Sequence, residues 1–430
     1  MHILVLGGYG LIGLEICREL LRQGHQVTGL GRRKSIGERH LPTAKWIGQD
    51  ISKCLTPEDW TAHLANIDII VNASGALQSG LKDNVSKVQH HAMIALMQAC
   101  ERANIHQFIQ ISAPNVSLES STEFYRSKAA ADHALKESPL NWVILRPGLV
   151  IAPQAYGGTK LLRQLAAFPF VQPLALGQSQ IKTVHVKDVA KAVHLGIQNN
   201  LNHADYDLME DSPNSLRDII LTFRGWIGLP VPMAVISIPA PLTWGISKIA
   251  DSLGWLGWRS PLRSTAIDVL QDGVDGDSQS WSRDTGHRLS TLEESLASIP
   301  ATTQERTAAR ADLLYPVLIL LFFVFWIISG LIGLWQQEAA MDILAGKLDS
   351  GLTRLAVIGG SFADIAIGIG LLIKPWLKTS AYAAIIVSLS YMVGGLIFAP
   401  HLWVDPLGPL VKILPVIAAA LTLLALTPER

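Results

Sequence analysis

A glycine-rich turn begins at Gly7, between two segments with different hydrophobic patterns. Residues 3–6 form a continuous apolar run, which is typical of a parallel strand covered on both faces. After the turn, apolar side chains recur at helical spacing, namely Leu11, Ile12, Ile16, Leu20 and Leu21. Gly24 follows where a helix C-cap belongs, and residues 27–30 start a second strand. The pattern therefore predicts a strand–turn–helix–strand unit.

The spacing of the glycines predicts a binding site for the pyrophosphate of a dinucleotide. Gly7 permits the tight bend, Gly10 lets the backbone approach the phosphates, and Gly13 lets helix and strand pack closely. The phosphates then meet the helix N-terminus, where unpaired N–H groups and the helix dipole favour negative charge. The residues expected to contact the cofactor here are Gly7, Tyr9, Gly10, Leu11, Ile12 and Gly13.

The end of the second strand bears on the choice between NAD and NADP. NAD-binding proteins usually place an acid there, which binds the ribose 2′-hydroxyl. This chain has no acid between Gln26 and Ile36, and it carries Arg32 and Arg33 instead. Arginine suits a 2′-phosphate because its planar fork can bond two oxygens. The sequence favours NADP(H), with NAD(H) as the alternative, and a solvated basic loop remains a second interpretation.

Strands and helices continue to alternate along the first third of the chain. Predicted strands end near Asp50, at Asn72 and at Ser112, and a helix is expected over residues 85–103. This rhythm predicts an α/β Rossmann fold with a doubly wound parallel sheet. Its ligand site is expected at the carboxyl ends of the strands, where Asn72, Ala73 and Ser112 fall.

In order and in motifs, residues 1–300 resemble the extended and atypical short-chain dehydrogenase/reductases, which are epimerase- and dehydratase-like. The matching segments after the glycine turn are Asp50, Asn72-Ala73-Ser74-Gly75, Ser112, Arg146-Pro147-Gly148, Tyr156-Gly157-Gly158 and residues 184–190. The resemblance implies that Asp50 contacts the adenine, Ala73 the ribose region of the cofactor, and Ser112 the substrate side. It also implies a Rossmann core over residues 1–150 and a substrate-covering region over residues 151–300.

The match to this family is broken at the catalytic helix. The family has a tyrosine four residues before a lysine that holds the nicotinamide ribose and lowers the tyrosine pKa. Lys128 matches the lysine, but the residue four positions earlier is Phe124, which cannot transfer a proton. Tyr125 lies three positions before Lys128, a spacing that also shares a helix face. The candidate catalytic residues are therefore Tyr125, Lys128 and Ser112, and loss of catalysis is the alternative.

Two features of the middle segment allow more than one interpretation. Asp188 with His185 resembles an acid/base pair, but Asp188 also fits the N-cap of the following helix, which is the favoured interpretation. Residues 229–262 are rich in Trp, Pro, Ile and Leu and also carry charges. This composition predicts an interfacial or pocket-lining helix, with ordinary core packing as the alternative.

Beyond a linker at residues 301–312, the chain is almost entirely apolar. The predicted spans of an all-α, four-helix transmembrane domain over residues 313–430 are about 313–335, 355–373, 379–399 and 407–426. Asp364 interrupts the second span, so it is expected to face the helix bundle, either in a quinone or proton pocket or as a packing residue. Lys412 in the fourth span is near enough to one end to reach the interface.

The membrane half resembles the DoxX-like family of small four-helix membrane proteins. The resemblance is carried by residues 326–335, Ser361-Phe362-Ala363-Asp364-Ile365 and residues 402–412. Members of this family have been linked to quinone-reactive respiratory systems, so a quinone or a respiratory-chain complex is an expected partner besides the lipid bilayer.

Charge and cysteine content bear on location and partners. The net charge is zero, so no overall field favours nucleic acid. Three widely separated cysteines form no metal-ligand or disulfide pattern and are expected to be reduced thiols. Arg306 and Arg310 before the first span, with Lys374 and Lys378 at the second connection, place both termini in the cytosol by the positive-inside rule. We therefore expect a multi-pass protein of a bacterial-type inner membrane.

These features support two hypotheses of function. The first is a membrane-anchored NADP(H)-dependent oxidoreductase or epimerase that acts on a lipophilic substrate, such as a quinone or an isoprenoid. The second, motivated by Phe124, is a catalytically silent nucleotide-binding protein that stabilises or assembles a respiratory or lipid-synthesis membrane complex.

Overall fold

A computed structural model describes residues 1–75, 84–258, 260 and 262–427. The chain forms two compact units. The first unit comprises Met1–Asp251 and Ser260–Arg306, and the second comprises Ser252–Arg259 and Thr307–Arg430.

The first unit is built on a parallel sheet. Its strands in chain order, with those of three small two-stranded sheets, are β1 (His2–Leu6), β2 (Gln26–Gly31), β3 (Lys45–Gly48), β4 (Ile69–Asn72), β5 (Gln107–Ile111), β6 (Trp142–Pro147), β7 (Leu149–Ile151), β8 (Val171–Leu174), β9 (Gln180–Ile181), β10 (Thr183–His185), β11 (Ala204–Leu208), β12 (Asn214–Ser215) and β13 (Ala234–Ser237). The main sheet has the order β11-β6-β5-β4-β1-β2-β3. Every pairing in it is parallel, so the predicted doubly wound sheet is confirmed.

Helices cover both faces of this sheet. In chain order they are α1 (Leu11–Arg22), α2 (Lys34–His40), α3 (Glu58–Thr61), α4 (Ala92–Arg102), α5 (Glu123–Glu137), α6 (Gly157–Ala166), α7 (Val186–Gln198), α8 (Leu216–Trp226), α9 (Ala240–Trp255), α10 (Ser264–Asp272), α11 (Gln279–Thr285) and α12 (Leu292–Ala297). The two sides have separate apolar cores: Ile3 and Val5 of β1 belong to one, and Leu4 and Leu6 belong to the other. This double burial explains why residues 3–6 are apolar without alternation.

Local signals determine several helix ends in this unit. α1 ends as predicted, because Gly24 adopts φ +83° and its N–H donates to the carbonyl of Leu21. The helix expected over residues 85–103 is not uniform, since a π-helical turn, Lys87–His91, leads into α4. Such turns are frequent near functional sites, and this one packs against α5.

The second unit is helical. It comprises most of α13 (Thr303–Trp335), followed by α14 (Gln337–Ile343), α15 (Ser350–Leu372), α16 (Leu377–Phe398) and α17 (Ile413–Leu426). Among the described residues, α13, α15 and α16 are long and apolar enough to cross a membrane. α13 begins at Thr303, so most of the segment expected to be a linker is helical, as its Ala, Glu, Gln and Arg content favours.

The fourth predicted span, residues 407–426, differs from the structure. Its helix, α17, has 14 residues, or about 21 Å at 1.5 Å per residue, which is shorter than a hydrocarbon core of about 30 Å. Pro406, Gly408 and Pro409 precede it, and Gly408 adopts φ +57°, so the backbone turns before the helix can start. Lys412 is the N-cap of α17 and is exposed.

Asp364 lies on α15 and faces neighbouring helices, as predicted for an acid within a span. It is 3% exposed. One carboxylate oxygen accepts a hydrogen bond from Ser329 of α13 (2.7 Å), and the other accepts one from Tyr391 of α16 (2.8 Å). Both oxygens are thus satisfied, and the side chain links three helices.

Candidate dinucleotide site

The glycine turn joins β1 to α1 at the carboxyl edge of the sheet. Gly7 adopts φ +68°, and a Cβ there would lie 2.7 Å from the carbonyl oxygen of Ala73. A Cβ at Gly13 would overlap the carbonyl oxygen of Gly7. Only glycine can therefore occupy either position without moving backbone, because the turn is pressed between the end of β4 and the first turn of α1.

The N-terminus of α1 is open to an anion. Gly10 is the N-cap and supplies no side-chain hydrogen bond. Leu11, Ile12 and Gly13 are in the first turn, where backbone N–H groups have no acceptor within the helix. This arrangement fits a pyrophosphate, which such a helix end stabilises through those N–H groups and the helix dipole.

Tyr9 lies across the end of β2. Its hydroxyl accepts a hydrogen bond from the backbone N–H of Arg33 at 3.2 Å, and its ring packs on Gly31 so closely that a Cβ there would overlap it. The side chains of Arg32 and Arg33 are exposed at this edge. Tyr9 thus holds the backbone that carries both arginines beside the glycine turn.

Asp50 and Ala73 lie at the carboxyl ends of β3 and β4, two strands on opposite sides of β1 in the sheet. Asp50 follows β3 and caps a 3-10 helix, Ile51–Lys53, by accepting hydrogen bonds from the N–H and hydroxyl of Ser52. Ala73 follows β4, and its N–H donates to the carbonyl of Leu6 in β1. β1 and β4 are neighbours where the direction of winding reverses, the position at which open α/β sheets bind ligands.

Lys128 projects from α5 towards this edge. It is 7% exposed, and its ammonium donates a hydrogen bond of 3.0 Å to the carbonyl of Ile111, at the end of β5. A Cβ at Gly75 would lie 4.0 Å from the lysine Nζ, so Lys128 also approaches the chain after β4. Burial lowers the pKa of Lys128, and the charge of Asp132 partly opposes that effect.

The ring of Phe124 lies beside this ammonium. The Phe124 centroid is 6.0 Å from the Nζ of Lys128, one helical turn away. Tyr125 is 4% exposed, and burial together with the negative charge of Asp272 raises its pKa to about 12. A proton-transferring tyrosine needs a lowered pKa. The environment of Tyr125 instead raises its pKa, which is the opposite of what proton transfer requires.

Ser112 is engaged with an acid that the sequence motifs did not point to. Its hydroxyl donates a hydrogen bond of 2.5 Å to a carboxylate oxygen of Asp132, which is 4% exposed. Burial raises the pKa of Asp132, while the hydrogen bond from Ser112 and the charge of Lys128 oppose the shift. Asp132 is four residues after Lys128, a spacing that could have indicated a shared helix face.

A second polar contact supports the same region from the π-helical turn. Gln89, which is 4% exposed, accepts a hydrogen bond of 2.8 Å from Ser127 on α5. Its amide nitrogen would lie 3.3 Å from a Cβ at Gly75. The π-helical turn thus aligns α5 with the chain after β4, which the periodicity of residues 85–103 did not predict.

His185 and Asp188 have structural contacts. The N-cap of α7 is His185, whose ring accepts a hydrogen bond from the N–H of Lys187, so the expectation that Asp188 is the cap is corrected. Asp188 lies in the first turn and accepts a hydrogen bond from the N–H of Ser290 at 2.9 Å. The cap falls on the last residue of β10, because the helix begins directly after that strand.

A parallel doubly wound sheet with this glycine turn at its switch point defines an NAD(P)-binding Rossmann domain. In agreement, residues 7–194 match the NAD(P)H-binding family, and residues 323–421 match the DoxX-like family. The chain thus joins a domain that matches an NAD(P)H-binding family to a domain that matches the DoxX-like family, which is the fusion that the sequence predicted.

Several curated relatives resemble part of the chain. Subunit 9 of the NADH dehydrogenase [ubiquinone] 1 alpha subcomplex from Arabidopsis thaliana is 23% identical over 57% of this chain and 64% of the relative. Photosystem II assembly factor Ycf39 from Cyanophora paradoxa is 32% identical over 34% of this chain and 44% of the relative. The chain thus spans less than two thirds of either relative. A 2-alkyl-3-oxoalkanoate reductase from Stenotrophomonas maltophilia is 23% identical over 54% of this chain and 77% of the relative.

Solved structures agree on the fold. The structure of gox2253 has a TM-score of 0.55 at 17% identity and covers 72% of this chain and 98% of that protein. WbmH from Bordetella bronchiseptica, solved in complex with NAD+, has a TM-score of 0.53 at 16% identity and covers 69% of this chain and 96% of that protein.

Proposed function

We propose that this chain is a membrane-anchored NADP(H)-binding protein that lacks tyrosine-dependent proton transfer and acts as a structural or assembly subunit of a membrane complex. The observation that carries the proposal is the contact between Phe124 and Lys128. A phenyl ring occupies the position at which the resembling enzymes have their acid. When bound, the nicotinamide would supply hydride chemistry, but the residue one helical turn before the lysine, Phe124, has no hydroxyl to donate a proton.

Different residues of the site would bind different parts of the cofactor. The first turn of α1 would bind the pyrophosphate, and Lys128 would hold the nicotinamide ribose. Arg32 and Arg33 would bind a 2′-phosphate, which is why NADP(H) is proposed over NAD(H). Asp50 would contact the adenine and Ala73 the ribose region.

Two relatives support the choice of a subunit or assembly role. One is named as a subunit of NADH dehydrogenase and the other as a photosystem II assembly factor. We therefore propose a respiratory or comparable membrane complex as the partner. We also propose a cytosolic Rossmann unit at a bacterial-type inner membrane, which protease accessibility in vesicles of known orientation would test.

The test uses the purified full-length protein in mild detergent. We expect NADPH to bind more tightly than NADH, Lys128→Met to weaken NADPH binding, and protein partners to co-purify. NADPH is expected not to be oxidised in the presence of a quinone or an isoprenoid carbonyl. Turnover that depends on Tyr125 or Lys128 would overturn the silent role, and failure to bind either nucleotide would overturn the binding site itself.

A second candidate function is reduction of a lipophilic carbonyl or quinone. It is supported by the proximity of Lys128 to the end of β5, where Ser112 also lies, and by the reductase among the relatives. In this case Tyr125 or Ser112 would handle the proton. The candidate requires NADPH oxidation that is lost in Lys128→Met and in either Tyr125→Phe or Ser112→Ala, and turnover that survives all three changes would exclude it.

A further inference from the structure

Helix α9 carries its large apolar side chains on the outside. Leu242, Ile246 and Ile249 recur at helical spacing and are 57%, 37% and 64% exposed. The side that is buried consists of small residues, namely Thr243, Ser247, Ala250 and Gly254. A surface helix of a soluble protein has the reverse arrangement, with its apolar stripe towards the core. The exposed apolar stripe of α9 is therefore expected to be covered either by lipid or by another protein surface.

Aromatic and basic residues lie on a second exposed side of α9, because Trp244 follows Leu242 by two residues, or about 200° around the helix. Trp244 and Trp255 of α9 are 65% and 76% exposed, and the ammonium of Lys248 lies 5.6 Å from the Trp244 ring centroid. The other charge of α9, on Asp251, is paired with Arg263 at 3.3 Å. Exposed tryptophan beside lysine on an apolar helix is typical of the headgroup layer of a bilayer, where both side chains have one apolar and one polar part.

The chain directly before α9 is exposed and apolar as well. Val231 and Met233 are 88% and 83% exposed. The N–H of Met233 donates a hydrogen bond of 2.7 Å to the carbonyl of Phe170, which is itself 73% exposed and adopts φ +59°. Clustered exposure of this kind is rare in soluble proteins and marks an interaction surface.

The connection of α9 to the candidate membrane spans indicates that lipid covers the stripe. The last residues of α9 belong to the second unit, which contains the candidate spans. Three residues after α9, the indole N–H of Trp258 donates a hydrogen bond of 2.6 Å to the carbonyl of Leu372, the last residue of α15. The ammonium of Lys374 lies 4.6 Å from the Trp258 ring centroid. Tryptophan and lysine at the end of a span are typical of the membrane–water interface, so α9 ends at that level.

We propose that α9 lies in the headgroup layer of the bilayer, with Leu242, Ile246 and Ile249 towards the acyl chains. The apolar stripe of the Rossmann unit is then a second membrane contact besides the spans. Because it involves neither the glycine turn nor Lys128, the proposal is independent of nucleotide binding and of the function assigned to it.

The test is a depth measurement on the full-length protein. The native thiols Cys17, Cys54 and Cys100 are buried, so a fluorophore can be attached selectively to an Ile249→Cys variant. The protein is reconstituted at low protein density into phosphatidylcholine vesicles with or without nitroxide-labelled phosphatidylcholine. A Leu55→Cys variant is the control, because Leu55 is 42% exposed in a loop of the same unit, outside α9.

We expect the label on Ile249→Cys to lose fluorescence to the lipid-borne nitroxide and to resist aqueous iodide, with the reverse for Leu55→Cys. Access of iodide to Ile249→Cys without lipid quenching would overturn the proposal, because α9 would then face water. Protection from both quenchers would also overturn it, because a protein surface would then cover α9. Circular dichroism and thermal denaturation of the same samples separate a misfolded variant from a changed location.

Discussion

The aromatic ring of Phe124 lies 6.0 Å from the ammonium of Lys128, on the same side of α5 and one helical turn away. Lys128 is in turn fixed by its hydrogen bond to the carbonyl of Ile111. The lysine thus lies at the carboxyl end of β5, while its neighbour Phe124 has no ionisable group. This pair is the reason why we propose nucleotide binding without tyrosine-dependent proton transfer.

Tyr125 is expected to make the protein less stable at alkaline pH. Its pKa is about 12 in the folded protein, against about 10 in the unfolded chain. The folded state binds this proton more tightly, so the stabilisation is complete below pH 10 and is lost as pH rises towards 12. The free energy of unfolding should fall by up to about 2.7 kcal/mol over this range, at 1.36 kcal/mol per pKa unit, and Tyr125→Phe should abolish this decrease.

Thermal denaturation in detergent across this pH range measures the effect of Tyr125. Tyr156→Phe is the control, since Tyr156 is 49% exposed. Identical pH profiles for wild type and Tyr125→Phe would show that the phenol is not buried close to the Asp272 carboxylate.

Gly7→Ala should destabilise the protein more than Gly24→Ala and should also abolish tight nucleotide binding. Both glycines have positive φ, which costs a residue with a Cβ about 1–2 kcal/mol. Only at Gly7 would the Cβ also meet backbone, at 2.7 Å, whereas Gly24 has open space around it. Denaturation and NADPH titration measure the two effects. An equal decrease in the free energy of unfolding for both variants would contradict the tight packing of the turn against Ala73.

Arg32→Ala combined with Arg33→Ala should weaken NADPH binding and leave NADH binding unchanged. A hydrogen bond to a charged group contributes about 1.5–3 kcal/mol, so we expect NADPH affinity to fall by about 10- to 150-fold for each hydrogen bond removed. Isothermal titration calorimetry with both nucleotides gives the ratio of their dissociation constants. Arg102→Ala is the control, because Arg102 pairs with Glu58 at the end of α4. An equal decrease in NADH affinity would mean that the arginines do not read a 2′-phosphate.

Ser329→Ala should destabilise the second unit by removing one of the two donors to Asp364. Hydrogen bonds between membrane helices contribute about 0.6 kcal/mol on average and up to about 1.7 kcal/mol. Asp364→Ala should cost more, because Tyr391 would lose its acceptor as well. Denaturation in mixed micelles measures both. Ser390→Ala is the matched control, because the Ser390 hydroxyl donates to the carbonyl of Ile386 in its own helix. If Ser390→Ala lowered the stability as much as Ser329→Ala does, the hydrogen bond from Ser329 would not stabilise the packing of α13 against α15.

Much of the fold was predictable because it depends on neighbouring residues. The apolar run at residues 3–6, the glycine turn and Gly24, which directly follows the C-cap Gln23 of α1, each specify local backbone geometry, and the structure contains all three. The short α17 was also encoded locally, by Pro406 and Pro409, but the hydropathy of residues 407–426 concealed it. Hydropathy averages over a window and does not record where the backbone must turn.

The residue pattern alone was enough to predict a dinucleotide-binding strand–turn–helix unit followed by apolar helices, and to place a phenylalanine four residues before Lys128. Which groups meet in space became apparent only from the packed chain: Asp132 with Ser112, Lys128 with the end of β5, and Asp364 with donors 35 and 27 residues away. Periodicity specifies which face a side chain occupies. The packing of distant segments specifies what that face touches, and so determines burial, charge and the chemistry available at the site.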